Sequence, residues 1–278
     1  MNDLRDKTIF ITGASRGIGR AIALRCARDG AKVVITGKTA VAHAKLPGTI
    51  HSVAAEVEQA GGHGLAIQLD VRDEVALQAA IEQAAQHFGG VDVLVNNASA
   101  ISMTSTVETP ARRLDLMWDV NMRATFLASQ ACIPYLKYSS NPHILTLSPP
   151  LNFDAKWFAP HVAYSISKFG MSLCALGMAR EFAADGIAVN CLWPRTTIAT
   201  AAIRFNFPEK VFAASRKPEI VADAAYEIFK RKSRECTGNF FIDEEVLMVA
   251  GVTDFVQYAV TPDAPLFGDL FVEERIIK

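Results

Sequence analysis

Tyr164 and Lys168 stand four residues apart in Tyr164-Ser165-Ile166-Ser167-Lys168. On a helix that spacing puts both side chains on one face. A phenol ordinarily gives up its proton near pH ~10, and a neighbouring ammonium stabilises the phenolate and lowers that value. The pair therefore predicts a general acid or base that exchanges a proton with an alcohol or carbonyl oxygen. A second chemical stretch lies near the start of the chain. Lys7-Thr8-Ile9-Phe10-Ile11-Thr12-Gly13-Ala14-Ser15-Arg16-Gly17-Ile18-Gly19 joins an apolar run to three closely spaced glycines. Ile18, Ala21, Ile22 and Cys26 then recur at helical spacing. A strand, a glycine turn and a helix start can hold a pyrophosphate. Glycine admits close backbone approach, and the free N–H groups of the first helical turn face the anion. Either stretch taken alone also fits an ordinary helix or an ordinary turn.

The elements that would position these residues alternate along the chain. Short apolar runs at 9–11, 33–35, 65–67, 91–95, 144–147, 187–192 and 240–242 read as strands, and periodic segments at 52–59, 74–87, 112–138, 162–184 and 220–231 read as helices. Repeated strand–helix units with unbroken apolar strands predict an α/β fold. It is a single Rossmann-type, doubly wound parallel sheet with helices on both faces. Ligands of such sheets lie at the carboxyl ends of the strands, where both chemical stretches fall. Domain boundaries are read at 1–245 for the sheet domain and at 246–278 for an extended C-terminal arm.

Composition narrows the function classes. The 278 residues carry 28 basic and 29 acidic side chains, and half of all residues are hydrophobic. No basic run suits a nucleic-acid partner. No uncharged apolar stretch is long enough to span a bilayer, and the polar start Met1-Asn2-Asp3-Leu4-Arg5-Asp6 is unlike a signal peptide. The five cysteines are scattered, which fits free thiols in a reducing cytoplasm. The six histidines show no metal-ligand spacing, so no metal site is expected.

Taken together, Thr12-Gly13-x-x-x-Gly17-x-Gly19, Asn96-Asn97-Ala98, Asn121 and Tyr164-x-x-x-Lys168 resemble, in order and setting, the short-chain dehydrogenase/reductase family. Asn190, Pro194 and Thr237-Gly238 look like its later landmarks, and the resemblance covers about residues 5–245. It implies hydride transfer between a nicotinamide cofactor and a carbonyl or alcohol. By that resemblance Gly13, Ala14, Ser15, Arg16, Gly17, Ile18 and Gly19 cradle the pyrophosphate. Asp70 accepts from the adenine, and Asn97 lines the adenosine ribose. Lys168 grips the nicotinamide ribose and tunes Tyr164. Asn121 bends its helix and holds a water, and Pro194 to Thr197 lie against the carboxamide. A homodimer or homotetramer is implied as well.

Cofactor choice is argued from charge. After the second strand comes Thr36-Gly37-Lys38-Thr39, with no acid for a ribose 2′-hydroxyl. Arg16 and Lys38 suit a 2′-phosphate instead, so NADP(H) is expected; their alternative is a pair of solvated surface charges. Three positions depart from the family pattern. Ser148 is followed by Pro149 where the family has its catalytic serine, and Ser148 is the candidate to take that role. Ser99 stands in place of a common glycine. Arg195 replaces another, and either reshapes the nicotinamide loop or meets an acidic substrate group. The segment near 200–216 resembles the family's mobile substrate lid; its Ile203, Phe205, Phe207, Val211 and Phe212, with Phe153, Trp157, Phe158 and Trp193, suit a lipophilic carbonyl or alcohol or else serve as core packing. The rival readings are an NADP(H)-binding scaffold or redox-sensing module with little turnover, and a lipid-binding protein.

Overall fold

Ile9-Phe10-Ile11 and Val33-Val34-Ile35 have no polar break, so both faces of each strand must be covered. The computed structural model, which describes residues 3–43, 46–262 and 264–273, covers them with two helical layers. Seven strands run in the order β1 (Thr8–Ile11), β2 (Lys32–Gly37), β3 (His63–Gln68), β4 (Val93–Asn96), β5 (His143–Thr146), β6 (Ala188–Trp193) and β7 (Phe240–Ile242). The helices are α1 (Gly17–Ala27), α2 (Ile50–Gln59), α3 (Glu74–Phe88), α4 (Ala111–Met117), α5 (Ala124–Leu136), α6 (Val162–Glu181), α7 (Ala201–Asn206), α8 (Glu209–Ala213), α9 (Glu219–Phe229) and α10 (Asp243–Val249).

All seven strands pair in parallel, in the spatial order β3-β2-β1-β4-β5-β6-β7. Alternate residues feed opposite cores. Ile9, Ile11, Val33, Ile35, Val93 and Val95 meet Ile22 and Cys26 of α1 and Ile220 and Phe229 of α9. Phe10, Val34, Leu94 and Ile144 meet Leu77 and Ile81 of α3, Cys132 of α5 and Met178 of α6. The chain crosses from β3 at one edge to β4 beside β1. That reversal opens a crevice between the carboxyl ends of β1 and β4, the place where such sheets take ligands.

The expected helix over 112–138 is interrupted. Between α4 and α5 the chain widens into a π-helical turn, Trp118–Arg123, centred on Asn121. Such widened turns recur at functional sites. The segment expected as a lid folds into α7 and α8. By length and composition α6 could cross a membrane, yet 61% of its apolar window is buried inside the protein. It is a core helix packed on β6 and on the π turn.

A buried histidine opens β5. His143 is 1% exposed, its Nε2 lies 3.1 Å from the Arg231 carbonyl, and its Nδ1 finds no partner among the described residues. A carbonyl only accepts, so Nε2 carries the proton of the neutral ring and a second proton would sit unpaired on Nδ1. Burial therefore pushes the imidazole from 6.5 down to about 4. A group lowered in this way stabilises the fold fully above its unfolded value, and the contribution is lost as pH falls through the folded value. Between those two values the unfolding free energy of the native chain should drop by roughly 3 kcal/mol more than that of His143→Gln, measured by urea titration at each pH. Equal slopes in the two proteins would rule out burial of this ring as the cause.

Candidate active site

The glycine stretch forms the floor of a cleft. Its backbone turns sharply at Gly13 (φ 69°) and Gly17 (φ 59°). A Cβ at Gly13 would come within 2.9 Å of the Ala98 Cα, so the turn can press against the loop after β4 only with glycine there. Asn97 locks the two loops together. Its Nδ2 donates to the carbonyls of Thr12 (2.9 Å) and Gly13 (3.0 Å), and its backbone N–H donates to Thr12 Oγ1 (2.9 Å). Helix α1 then starts at Gly17 with no side-chain cap from Arg16 and no acidic residue in its first turn. The first N–H groups of a helix have no acceptor within the helix, so this end suits an anion.

The cleft above measures about 520 Å³. Gly13, Ser15, Arg16, Gly17, Ile18, Lys38, Asp70 and Asn97 line it, with Ser99, Ala100 and the start of α7 at Thr200. Ala14 and Gly19 lie beneath it, both buried. Arg16 donates to the carbonyls of Pro47 (3.2 Å) and Gly48 (3.1 Å), and partial burial lowers its pKa. Lys38 keeps 64% of its side chain exposed, 3.5 Å from Asp70. Asp70 also accepts a forked pair from Arg72, and that bond holds its carboxyl down at about 2. The residues present fit a dinucleotide: an uncapped helix start for phosphates and two cations beside the end of β2.

Tyr164 and Lys168 lie on the first turns of α6, and Tyr164 packs into an aromatic cluster with Phe169, Trp193 and Phe271. Tyr164 is 6% exposed and Lys168 is buried. The Lys168 ammonium donates to the Leu147 carbonyl at 2.7 Å and lies 5.1 Å from the Trp193 ring centre. Burial pushes it down to about 7, opposed by Asp269. The sequence led to the expectation that Lys168 would lower the phenol. The structure reverses the direction: burial raises Tyr164, and the Asp269 carboxyl raises it further. Desolvation acts on both members of the pair, and a lysine driven towards neutrality can do little for a phenolate.

Asn121 joins the Tyr164 cluster to the cleft. From the π turn its Oδ1 accepts the Ala100 N–H (2.8 Å), and its Nδ2 donates to the Ala100 carbonyl (3.0 Å) and to Ser167 Oγ (2.8 Å). Ser167 in turn donates to the Tyr164 carbonyl (2.8 Å). The loop after β4 and the helix bearing Tyr164 are thus one hydrogen-bonded unit. Ser148 is placed differently. It is fully buried, and its Oγ donates to Cys191 Sγ at 3.2 Å, so its proton is directed at sulfur in the interior between β5 and β6. Arg195 is engaged as well, by Glu245 and by the Glu273 carbonyl, rather than open to an acidic substrate.

Four residues that sequence reasoning did not single out belong here. Ser167 sits inside the Tyr–Lys pentapeptide, and Thr200 stands where the lid begins; both positions are visible in the sequence. Asp269 and Phe271 come from the C-terminal arm, and nothing local in the sequence says where that arm docks. Phe271 is 1% exposed, with its ring 6.3 Å from Tyr164, 5.9 Å from Trp193 and 5.4 Å from Phe169. Trp157 and Phe158 pack on the same cluster, whereas Phe153 is largely exposed.

Comparison with known proteins agrees with this geometry. The family model described as short chain dehydrogenase matches residues 7–209. Hydroxysteroid dehydrogenase-like protein 2 of Bos taurus is 57% identical over 268 residues, which cover 96% of this chain and 64% of that protein. The Homo sapiens protein of the same name is 55% identical over 267 residues, 96% of this chain and 63% of its own. The chain therefore spans less than two thirds of the length of these relatives. Among solved structures, a short chain dehydrogenase from Mycobacterium thermoresistibile shares 50% identity at a TM-score of 0.92, over 98% of this chain and 96% of that one.

The Asn121 link carries a stability prediction. Asn121→Ala should lower the unfolding free energy by about 1–3 kcal/mol in urea, because it removes a buried amide that bonds Ala100 twice and Ser167 once. An unchanged midpoint would show that the link is not structural.

Proposed function

Because the chain belongs to the short chain dehydrogenase family, we propose that it is an NADP(H)-dependent oxidoreductase acting on a lipophilic carbonyl or alcohol. One observation carries the reading: an uncapped glycine loop and a buried Tyr164–Lys168 pair meet at the carboxyl edge of a single sheet. A bound nicotinamide would supply or accept the hydride. Gly17, Ile18 and Gly19 would offer backbone N–H groups to the phosphates, with Ser15 beside them on the cleft wall. Arg16 and Lys38 would hold a 2′-phosphate by charge-assisted hydrogen bonds, for which no acid stands at the end of β2.

The proton step belongs to Tyr164. Burial keeps its phenol protonated, the form that gives a proton to a carbonyl oxygen as that oxygen gains charge. Lys168, released from the Leu147 carbonyl, would charge as it meets a ribose hydroxyl and then favour the phenolate left behind. Asn121 acts as a positioning residue, holding the loop at Ala100 against α6. The aromatic cluster of Trp157, Phe169 and Trp193 favours an apolar substrate body.

A second reading rests on Ser148. With Pro149 following it, Ser148 directs its hydroxyl at Cys191 rather than at a substrate oxygen. This favours an NADP(H)-binding module with little turnover.

Tyr164→Phe should cut NADPH consumption with a panel of ketones and aldehydes by about 10²–10⁴-fold while leaving NADPH affinity nearly unchanged. Retained turnover would overturn the assignment, and a panel inert with the native chain would favour the second reading. On the same protein, NADPH should bind at least roughly tenfold more tightly than NADH, and Lys38→Asp should narrow that gap; equal affinities would remove the NADP(H) preference.

A further inference from the structure

Trp193 closes β6 with its ring centre 5.1 Å from the Lys168 ammonium. Further along the chain, Thr200 faces the glycine loop: a Cβ added at Gly17 would meet its Cγ2 at 3.3 Å. A dinucleotide with its phosphates at that loop and a ribose at Lys168 must therefore run along the chain between them, residues 194–199. That segment belongs to no helix or strand. Its course has to be fixed from outside.

Two elements from the end of the chain fix it. Asp243, the first residue of α10, is 0% exposed, and its Oδ1 accepts both the Arg195 N–H (2.8 Å) and the Glu244 N–H (2.7 Å). The C-terminal arm donates its Asp269 N–H to the Arg195 carbonyl (3.1 Å). The backbone of one residue is thus held at its donor by α10 and at its acceptor by the arm. The arm then follows the segment: Gly268 bridges Thr196, the Phe267 carbonyl accepts the Thr197 N–H (3.0 Å), and the Leu270 carbonyl accepts Trp193 Nε1 (2.8 Å). On the far side the Arg216 N–H donates to the Thr197 carbonyl (2.9 Å), and the Arg216 carbonyl accepts the Ala199 N–H (2.8 Å). A carboxyl buried this deeply is costly, and Asp243 Oδ2 has no partner among the described residues. Its other oxygen is what ties α10 to the segment.

We propose that Asp243 is a positioning residue for the cofactor: with Gly268 and Asp269 of the arm, it holds residues 194–197 in the course that receives the nicotinamide end. The inference deepens the oxidoreductase reading and rests on it for a nicotinamide at Lys168. It gives the C-terminal arm a task in cofactor binding.

The test compares NADPH with 2′-phospho-ADP-ribose, which lacks the nicotinamide. Both are titrated by calorimetry into the full native chain and its variants. In Asp243→Ala the Kd for NADPH should rise by about tenfold or more, because the Arg195 N–H loses its acceptor, while the Kd for 2′-phospho-ADP-ribose stays at its native value. Asp243→Asn keeps an accepting oxygen, and burial already pushes this carboxyl up to about 6, so the amide should bind both ligands as the native chain does. An equal loss for both ligands in folded Asp243→Ala, or a loss for neither, would overturn the proposal and leave the oxidoreductase reading in place. In the native chain, where folding is not in question, hydrogen exchange at 194–199 and at 267–269 should slow together on NADPH and not on 2′-phospho-ADP-ribose. Slowing at neither stretch, or at 194–199 alone, would contradict the role given to the arm. A native chain that binds neither ligand would remove the oxidoreductase reading, and this proposal with it.

Discussion

A lysine ammonium held inside the protein, with one carbonyl for its main partner, sets the conditions for the rest of the site. Lys168 reaches the Leu147 carbonyl beneath Trp193 and is driven towards its neutral form by burial. The same desolvation keeps the Tyr164 phenol protonated and pushes the Asp269 carboxyl up. Burial favours the neutral form of all three groups. Each responds to whatever reaches it, because the low local dielectric magnifies every new charge or hydrogen bond.

That arrangement depends on the parallel sheet. β1, β4 and β5 all end at one edge, so the glycine loop, the Asn97 loop and the Leu147 carbonyl arrive together. Thr12 and Asn97 tie the first two loops, and Asn121 ties the second to α6 through Ala100 and Ser167. The cleft suited to a dinucleotide and the aromatic cluster around Tyr164 are therefore parts of one frame. A change at Asn121 reaches both, through Ala100 on one side and Ser167 on the other.

Much of this is legible in the sequence, because local pattern carries it. Unbroken apolar runs such as Val33-Val34-Ile35 demand strands covered on both faces, and the glycines at 13 and 17 announce a turn that other residues resist. The Tyr164–Lys168 spacing marks a shared helix face. What the sequence hides is set by distance. The side chain of Ser148 turns to Cys191, a strand away, which no reading of Ser148-Pro149-Pro150 can tell. The direction of the phenol's shift depends on how deeply it is buried, and that depth is set by an arm more than a hundred residues downstream. Phe271 and Asp269 are ordinary tail residues until their docking site is known, and Arg195 looks free until Glu245 is seen beside it.

The most direct test is the titration of Lys168 itself. In a chain labelled with 13C at lysine, the resonance lost in Lys168→Arg identifies this residue, and its shift can be followed with pH before and after NADPH is added. The account predicts a midpoint near 7 in the free protein, far below the ordinary 10.5, and a clear movement of that midpoint on binding, because a nicotinamide ribose would meet the ammonium under the proposed reading. A midpoint at the ordinary value, indifferent to NADPH, would contradict it.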